Sequence, residues 1–362
     1  MIIKLIIFFI FLFFAQSGYS AEDTGTRTAE FLKIPPSVRG AGTGNAFVSV
    51  PGGIDSIPYN PSGLCAVKYI EGSIFYSPYL ADTSLVSLSG AMNLGDAGVI
   101  GLNITDLNYG AIPETLENSS GDIIATGKNS EPSDLLLSGT YSKRLAIEGL
   151  HLGMNLKYIT LGSDNVRGNG VALDAGCIFK KGASPWGVGI AINNIGTKIK
   201  FAQLEYSIPL ILRIGGHYNY EIAGEHTLSV LLDLEDEKTE GINLNTGMEY
   251  SFHRSLFIRG GYQTGRDPGG YHLGGGLKHK IMRFDYGFES YGDLGTVHQI
   301  QVSIILSPAG PDKTEKEGPK KNPPMTEPEA TDDPSKEKKE QKKADEEDEN
   351  SAIDYDIDSI IK

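Results

Sequence analysis

In the stretch Gly149-Leu150-His151-Leu152-Gly153-Met154-Asn155-Leu156-Lys157-Tyr158, apolar and polar residues take strict turns. On an extended chain Leu150, Leu152, Met154, Leu156 and Tyr158 share one face, while His151, Gly153, Asn155 and Lys157 share the other. Faces of such different polarity need two different solvents. A soluble sandwich would bury the apolar row in a core. Here the opposite row carries bulky charge suited to a wet interior, the pattern of a barrel whose outside meets lipid.

The alternation recurs along the chain. Leu210, Leu212, Ile214, Tyr218 and Tyr220 oppose Ile211, Arg213 and His217; Leu228, Val230, Leu232 and Leu234 oppose Thr227, Ser229 and Asp233. Ile242, Leu244, Met248 and Tyr250 face away from Asn243, Asn245 and Glu249. Met282, Phe284, Tyr286 and Phe288 oppose Arg283, Asp285 and Glu289, and Ile300, Val302, Ile304 and Leu306 oppose Gln299, Gln301 and Ser303. Alternation and turn residues together predict fourteen strands, at about 70–78, 83–93, 97–107, 134–144, 149–160, 169–179, 186–193, 208–220, 225–235, 240–251, 254–263, 270–279, 281–291 and 295–306. The expected fold is all-β, a 14-stranded antiparallel transmembrane β-barrel.

An even strand count suits a single-chain barrel with both ends in the periplasm. Exits from odd-numbered strands are predicted to be long external loops (109–133, 161–168, 194–207 and 265–269). Those from even-numbered strands are predicted to be tight periplasmic turns (94–96, 146–148, 181–185, 252–253 and 280). These features place the protein in the outer membrane, with both termini periplasmic.

Lys4, the apolar run Leu5 to Phe14 and the small-x-small triplet Gly18-Tyr19-Ser20 read as a signal peptide over 1–20. The run of about ten apolar residues is short against the roughly twenty of a spanning helix. No other stretch reaches eighteen consecutive apolar residues, so membrane entry requires a closed barrel in which every backbone group is paired. No cysteine sits at the cleavage site, which argues against a lipoprotein. Residues 21–64 form an N-terminal extension and hatch. From Thr28 they are irregular and rich in Gly and Pro, yet Phe31, Leu32, Ile34, Phe47, Val48 and Leu64 are too apolar to be left in water. Residues 65–307 are the barrel. Residues 308–362 hold ten lysines and seventeen acids, half of the net charge of −14, and read as a disordered periplasmic tail. The alternation of Ile353, Tyr355 and Ile357 with acids suits either a strand-adding peptide for a periplasmic partner protein or a frayed terminus.

The acidic balance argues against nucleic acid as a partner. Seven scattered histidines without His-Glu-x-x-His, and two cysteines without Cys-x-x-Cys, predict no metal and no cofactor. His151, His217, His272 and His298 are assigned to the lumen face. Gly40-x-Gly42-x-Gly44 lacks the preceding strand and the Lys-Ser/Thr of a phosphate loop, and reads as a flexible loop. No Gly-x-Ser-x-Gly elbow is present and no catalytic residues are expected, so the chain is not read as an enzyme. Asp233, Glu235, Asp236 and Glu237, at an expected external loop, have the chemistry to gather divalent cations but read first as a solvated acidic loop. Cys65 and Cys177 read as separate thiols, buried or lipid-facing. Lys157, Asp174, Arg213, Glu249, Arg259, Lys278, Arg283, Asp285 and Glu289 mix both signs inside the lumen, which suggests ladders bracing the wall rather than a selective ion ring.

The segments Thr28-Ala29-Glu30-Phe31-Leu32-Lys33-Ile34-Pro35, Arg39-Gly40-Ala41-Gly42-Thr43-Gly44-Asn45-Ala46-Phe47-Val48-Ser49-Val50 and Tyr59-Asn60-Pro61-Ser62-Gly63-Leu64 resemble the start of PorV/PorQ-type proteins, a branch of the FadL-like outer-membrane transporters. Ser62 stands where the family's Asn-Pro-Ala element has Ala. The chain also runs about fifty-five residues past a final strand that in the family ends on an aromatic. The resemblance implies an N-terminal hatch plugging the lumen, with Phe31, Leu32, Phe47, Asn60 and Pro61 on the ligand path. It implies insertion by the barrel-assembly machinery, contact with membrane lipid, and a third strand that kinks to open a lateral exit. In this chain Ile100, Leu102 and Ile104 are followed by Asp106 where an apolar residue is due, so either a bulge at Thr105, Asp106 and Leu107 or the end of the strand is expected. The implied function is passive uptake of hydrophobic small molecules such as fatty acids. The alternative is a PorV-like, non-transporting component of a protein secretion or surface-assembly system.

Overall fold

A computed structural model of the chain describes residues 27–306, apart from 164–165, 202–203, 223–224, 238–240 and 266–269. The expected signal peptide and tail lie outside the described residues. The period-two segments form β1 (Ile70–Pro78), β2 (Ser84–Asn93), β3 (Val99–Asn108), β6 (Ser133–Arg144), β7 (Leu150–Ser163), β8 (Val166–Phe179) and β9 (Trp186–Gly196). They continue as β12 (Ile211–Glu221), β13 (His226–Glu237), β14 (Gly241–Phe252), β15 (Leu256–Thr264), β16 (Gly270–His279), β17 (Met282–Ser290) and β18 (Thr296–Leu306). Two hairpins, β4 (Ile112–Glu117) with β5 (Ile123–Ser130) and β10 (Ile199–Phe201) with β11 (Leu204–Tyr206), sit within the longer connections.

The fourteen wall strands close into one antiparallel barrel. β1 completes it by pairing with β18 from Ile70↔Leu306 to Tyr76↔Ile300. Alternate residues do what the two solvents require. Leu102, Leu156, Ile258 and Tyr271 keep 58–69% of their surface on the outside, while Asn103, Asn155, Gln299 and Gln301 are buried within. Closure leaves no strand edge unpaired toward lipid. Both hairpin-bearing connections leave from the same end of the barrel, here called the loop end; β1 begins and β18 finishes at the opposite, turn end.

Several expectations need correction. Residues 161–168 are not a loop, because β7 and β8 continue to Ser163 and from Val166 and pair across their whole length. The expected bulge at Thr105, Asp106 and Leu107 is absent, and so is an early strand end. β3 pairs without interruption to β2, from Ser84↔Asn108 to Asn93↔Val99, and to β6 from Val99↔Ser142 to Asn108↔Ser133. The faces never slip: Leu107 points inward and is buried because the lumen there is apolar, and Asp106 remains in the outward row. Among the described residues the one register shift in the wall lies between β8 and β9, at Leu173/Ala175, opposite Asn194 with its φ of 63°.

His298 is not in the lumen. It shares parity with Ile300 and accepts or donates at 2.7 Å to the Tyr286 hydroxyl on the outer surface. Asp233, Glu235 and Glu237 form no solvated loop but are buried on the inner face of β13. Arg27 bridges to Ser207 at the loop end, whereas Leu306 lies at the turn end; the termini expected in the periplasm lie outside the described residues. Cys65 and Cys177 are both free thiols, and Cys65 Sγ lies 2.8 Å from Ser142 Oγ.

Candidate functional site: the hatch and the lumen it fills

The N-terminal segment descends through the lumen from Arg27 to the start of β1 and fills it. It is built from short helical turns: Glu30–Lys33, α1 (Val38–Gly42), Gly53–Ser56 and Pro61–Ala66. Repeated Gly and Pro forbid a long helix, and each turn relies on local caps. Ser37 Oγ accepts from Gly40 N at 3.2 Å, and Asn60 Oδ1 accepts from Ser62 N at 3.1 Å. The wall admits the backbone of the hatch through glycines. Gly247 and Gly261 are paired directly across β14 and β15, and a Cβ on either would overlap the backbone of Thr43 or Gly44.

Charge fastens hatch to wall. Arg39 of α1 holds Glu249 with two bonds of 2.9 and 2.7 Å, and Arg259 donates to Glu249 at 2.6 Å and to Asp285 at 2.7 Å. Arg283 donates to Asp285 at 2.6 Å and pairs with Asp55 of the hatch. Gln301 adds a bond of 2.7 Å to Asp55 and accepts from Val38 N at 3.0 Å. Burial alone would raise the pKa of Asp55, but Arg283 and Arg39 outweigh it and hold the carboxyl below its ordinary value. Elsewhere Arg213 pairs with Glu235 at 2.8 Å, Lys157 with Asp174 at 2.8 Å, and Arg27 with Glu237 at 2.7 Å. Asp233 accepts from the backbone of Val48 at 2.7 Å. These charges pair with one another on the inner face, and several also clamp the hatch. Glu289 accepts from Tyr291 Oη at 2.8 Å.

Toward the loop end an apolar cluster lies between hatch and wall. Phe31 and Val38 meet Leu85, Leu107, Leu136, Ile159, Leu161 and other wall residues, with Ile199 and Ile208 from the connection that carries β10 and β11; Leu32, Ile34 and Phe201 pack against it. At the turn end a cavity of about 260 Å³ lies between Arg39, Phe47 and Val50 of the hatch and His217, Leu231 and Phe257 of the wall.

The hatch residues singled out from sequence therefore separate. Phe31 and Leu32 belong to the apolar cluster, and Phe47 borders the turn-end cavity with its ring 5.4 Å from Tyr59. Asn60 and Pro61 serve the fold: the Asn60 amide donates to Val48 O at 2.7 Å and Cys177 O at 3.0 Å, and Pro61 opens a helical turn. Sequence reasoning missed Arg39 and Asp55 as clamps. The available signal was an acid and a base isolated in an apolar, Gly-rich segment that had to enter the barrel. No group of three or more candidate metal ligands exists among the described residues.

No family model matches the chain, and no curated protein matches it by sequence. Solved structures do resemble it. The toluene transporter TbuX of Ralstonia pickettii superposes with a TM-score of 0.52 at 10% identity, over 74% of this chain and 96% of that one. The toluene transporter TodX of Pseudomonas putida gives 0.49 at 10% identity over 73% and 95%, and the monoaromatic hydrocarbon channel CymD gives 0.48 at 13% over 75% and 96%. The likeness to TbuX is one of fold: this chain is a closed fourteen-stranded barrel of the same architecture.

Proposed function

We propose that the chain is a FadL-like outer-membrane channel for passive uptake of hydrophobic small molecules. The observation that carries this reading is the apolar cluster around Phe31 inside a lipid-spanning barrel whose inward face on β14 to β18 is mostly polar. Apolar side chains gathered inside a lumen have no use for lipid and little for water, but they suit apolar cargo. TbuX, which shares the fold, is a toluene transporter, which favours cargo of this class, with fatty acids a further candidate.

In the proposed mechanism cargo enters at the loop end, which faces the cell exterior, and takes over the contacts of Phe31 and Leu32 as residues 29–36 move aside. It leaves through the wall at the β8–β9 register shift, where Ala172↔Gly196 is the last pair before β9 turns into the 197–210 connection. The chain has no catalytic part in this, and the barrel-assembly machinery inserts it. The test is uptake of radiolabelled toluene and oleate by proteoliposomes carrying the intact chain. Facilitated entry that Phe31→Asp abolishes supports the proposal, and entry no faster than through protein-free lipid sinks it.

The unbroken pairing of β3 favours a second reading, a PorV-like component of a secretion or surface-assembly system that transports nothing. Removing residues 308–362 separates the two. A transporter keeps its uptake, whereas an assembly factor loses a periplasmic partner protein from co-purification.

A further inference from the structure

Across the lumen from the apolar cluster, the inner face of β14 to β18 carries Asn243, Asn245, Gln263, His272, Glu289 and Gln299, all 0–6% exposed. Register brings them together, with Asn245 opposite Gln263 and His272 opposite Glu289. Both amide atoms of Asn243 and of Asn245, Gln263 Nε2 and Gln299 Oε1 find no hydrogen-bond partner among the described residues. Buried polar atoms are rarely left this way, and six along one stretch of wall point to a ligand. Gln263, His272, Glu289 and Gln299 line a small cavity with Lys33, Ile34, Pro35 and Asn45 of the hatch. Ile34 also packs against the apolar cluster, so one hatch residue separates the two environments.

We propose that this belt is a head-group site for neutral, hydroxyl-bearing amphiphiles, phenols or alcohols, whose apolar bodies occupy the cluster around Phe31. The proposal rests on the uptake reading above and names its cargo more closely. Of the open atoms, Gln263 Nε2 and Gln299 Oε1 line the cavity, one donor and one acceptor, with Asn245 paired beside Gln263, so they suit a group that both donates and accepts. A hydroxyl does both; a carboxylate only accepts and would lie beside Glu289. A bare hydrocarbon would leave all six unmatched.

Toluene and p-cresol differ by one hydroxyl and provide the test. Their binding to the full chain in phospholipid nanodiscs is measured by titration calorimetry, with empty nanodiscs subtracted, and their uptake is measured in proteoliposomes. The belt predicts roughly tenfold tighter binding of p-cresol, the value of one well-made buried hydrogen bond. Asn245→Leu with Gln263→Leu abolishes that preference and leaves toluene binding within twofold. Because these amides have few protein partners to lose, the variant keeps its heat-modifiable gel mobility; the wild-type comparison decides even if it does not. Equal affinity for the two compounds, the result if the belt holds only water, overturns the proposal, as does a preference that survives the double variant. If toluene crosses without any p-cresol preference, the belt proposal alone fails; if neither compound crosses, the uptake reading fails with it.

Discussion

Asp55 ties the hatch to the wall because it is the hatch's only acid among the described contacts to Arg283, and because Arg283 is itself buried in the wall. Asp55→Ala leaves that guanidinium with Asp285 alone, a loss below the roughly 3–5 kcal/mol of a buried charge left wholly unpaired. The expected result is a barrel that still migrates as folded on heat-modifiable gels but passes steady current in a planar bilayer. A variant as silent as the parent would count against the clamp. The pH dependence follows from the depressed pKa. The stabilisation from Asp55 is complete above the ordinary carboxylate range, near 3.9, and is lost only as pH falls below it through the folded value. Current is therefore expected to stay low from pH 8 to about pH 5 and to rise below about pH 4. Gly261→Ala attacks the same closure sterically: its methyl meets the backbone of Gly44, for about 1–3 kcal/mol of overpacking. It should raise conductance at neutral pH, where Asp55 is fully effective. Single residues were the least legible in sequence. His298 was assigned by its chemistry, whereas parity with Ile300 puts it outside. Arg39 and Asp55 gave no period to follow.

At the scale of elements, period two carried the assignment because each wall residue faces either lipid or lumen. The strand ends match the pattern to within a few residues for the same reason. β4 and β5 escaped because they project from the wall and are mostly exposed on both faces, leaving no polarity contrast to read. Leu107 departs from the polar inward row because the lumen is not uniformly wet. Where Phe31 and the other hatch hydrocarbons touch the wall, inward residues turn apolar and the alternation inverts its chemistry while keeping its register. The exit route is tested on this scale. A short cross-link between cysteines placed at Val86 and Asp106, partners on β2 and β3, is expected to leave uptake unchanged. The same cross-link at Leu173 and Ile195, partners on β8 and β9, is expected to cut uptake severalfold. The opposite outcome would return the exit to β3.

The described residues form a plugged tube, with wall and plug held together by buried charge. Purified intact protein in planar bilayers should accordingly give small or no steady conductance, and large persistent currents would show that the hatch does not seal. The barrel as a whole was open to sequence analysis because lipid imposes a rule on every wall strand. The contents of the lumen were not, because an irregular segment meets the wall by shape and charge, which leave no repeat along the chain. Since Arg27 and Leu306 sit at opposite mouths, the leader is threaded through the ring that its own downstream strands make. The β1–β18 seam is then a clasp that must be fastened around a cord already laid in place, unless a loose tip is drawn through the finished hoop afterwards.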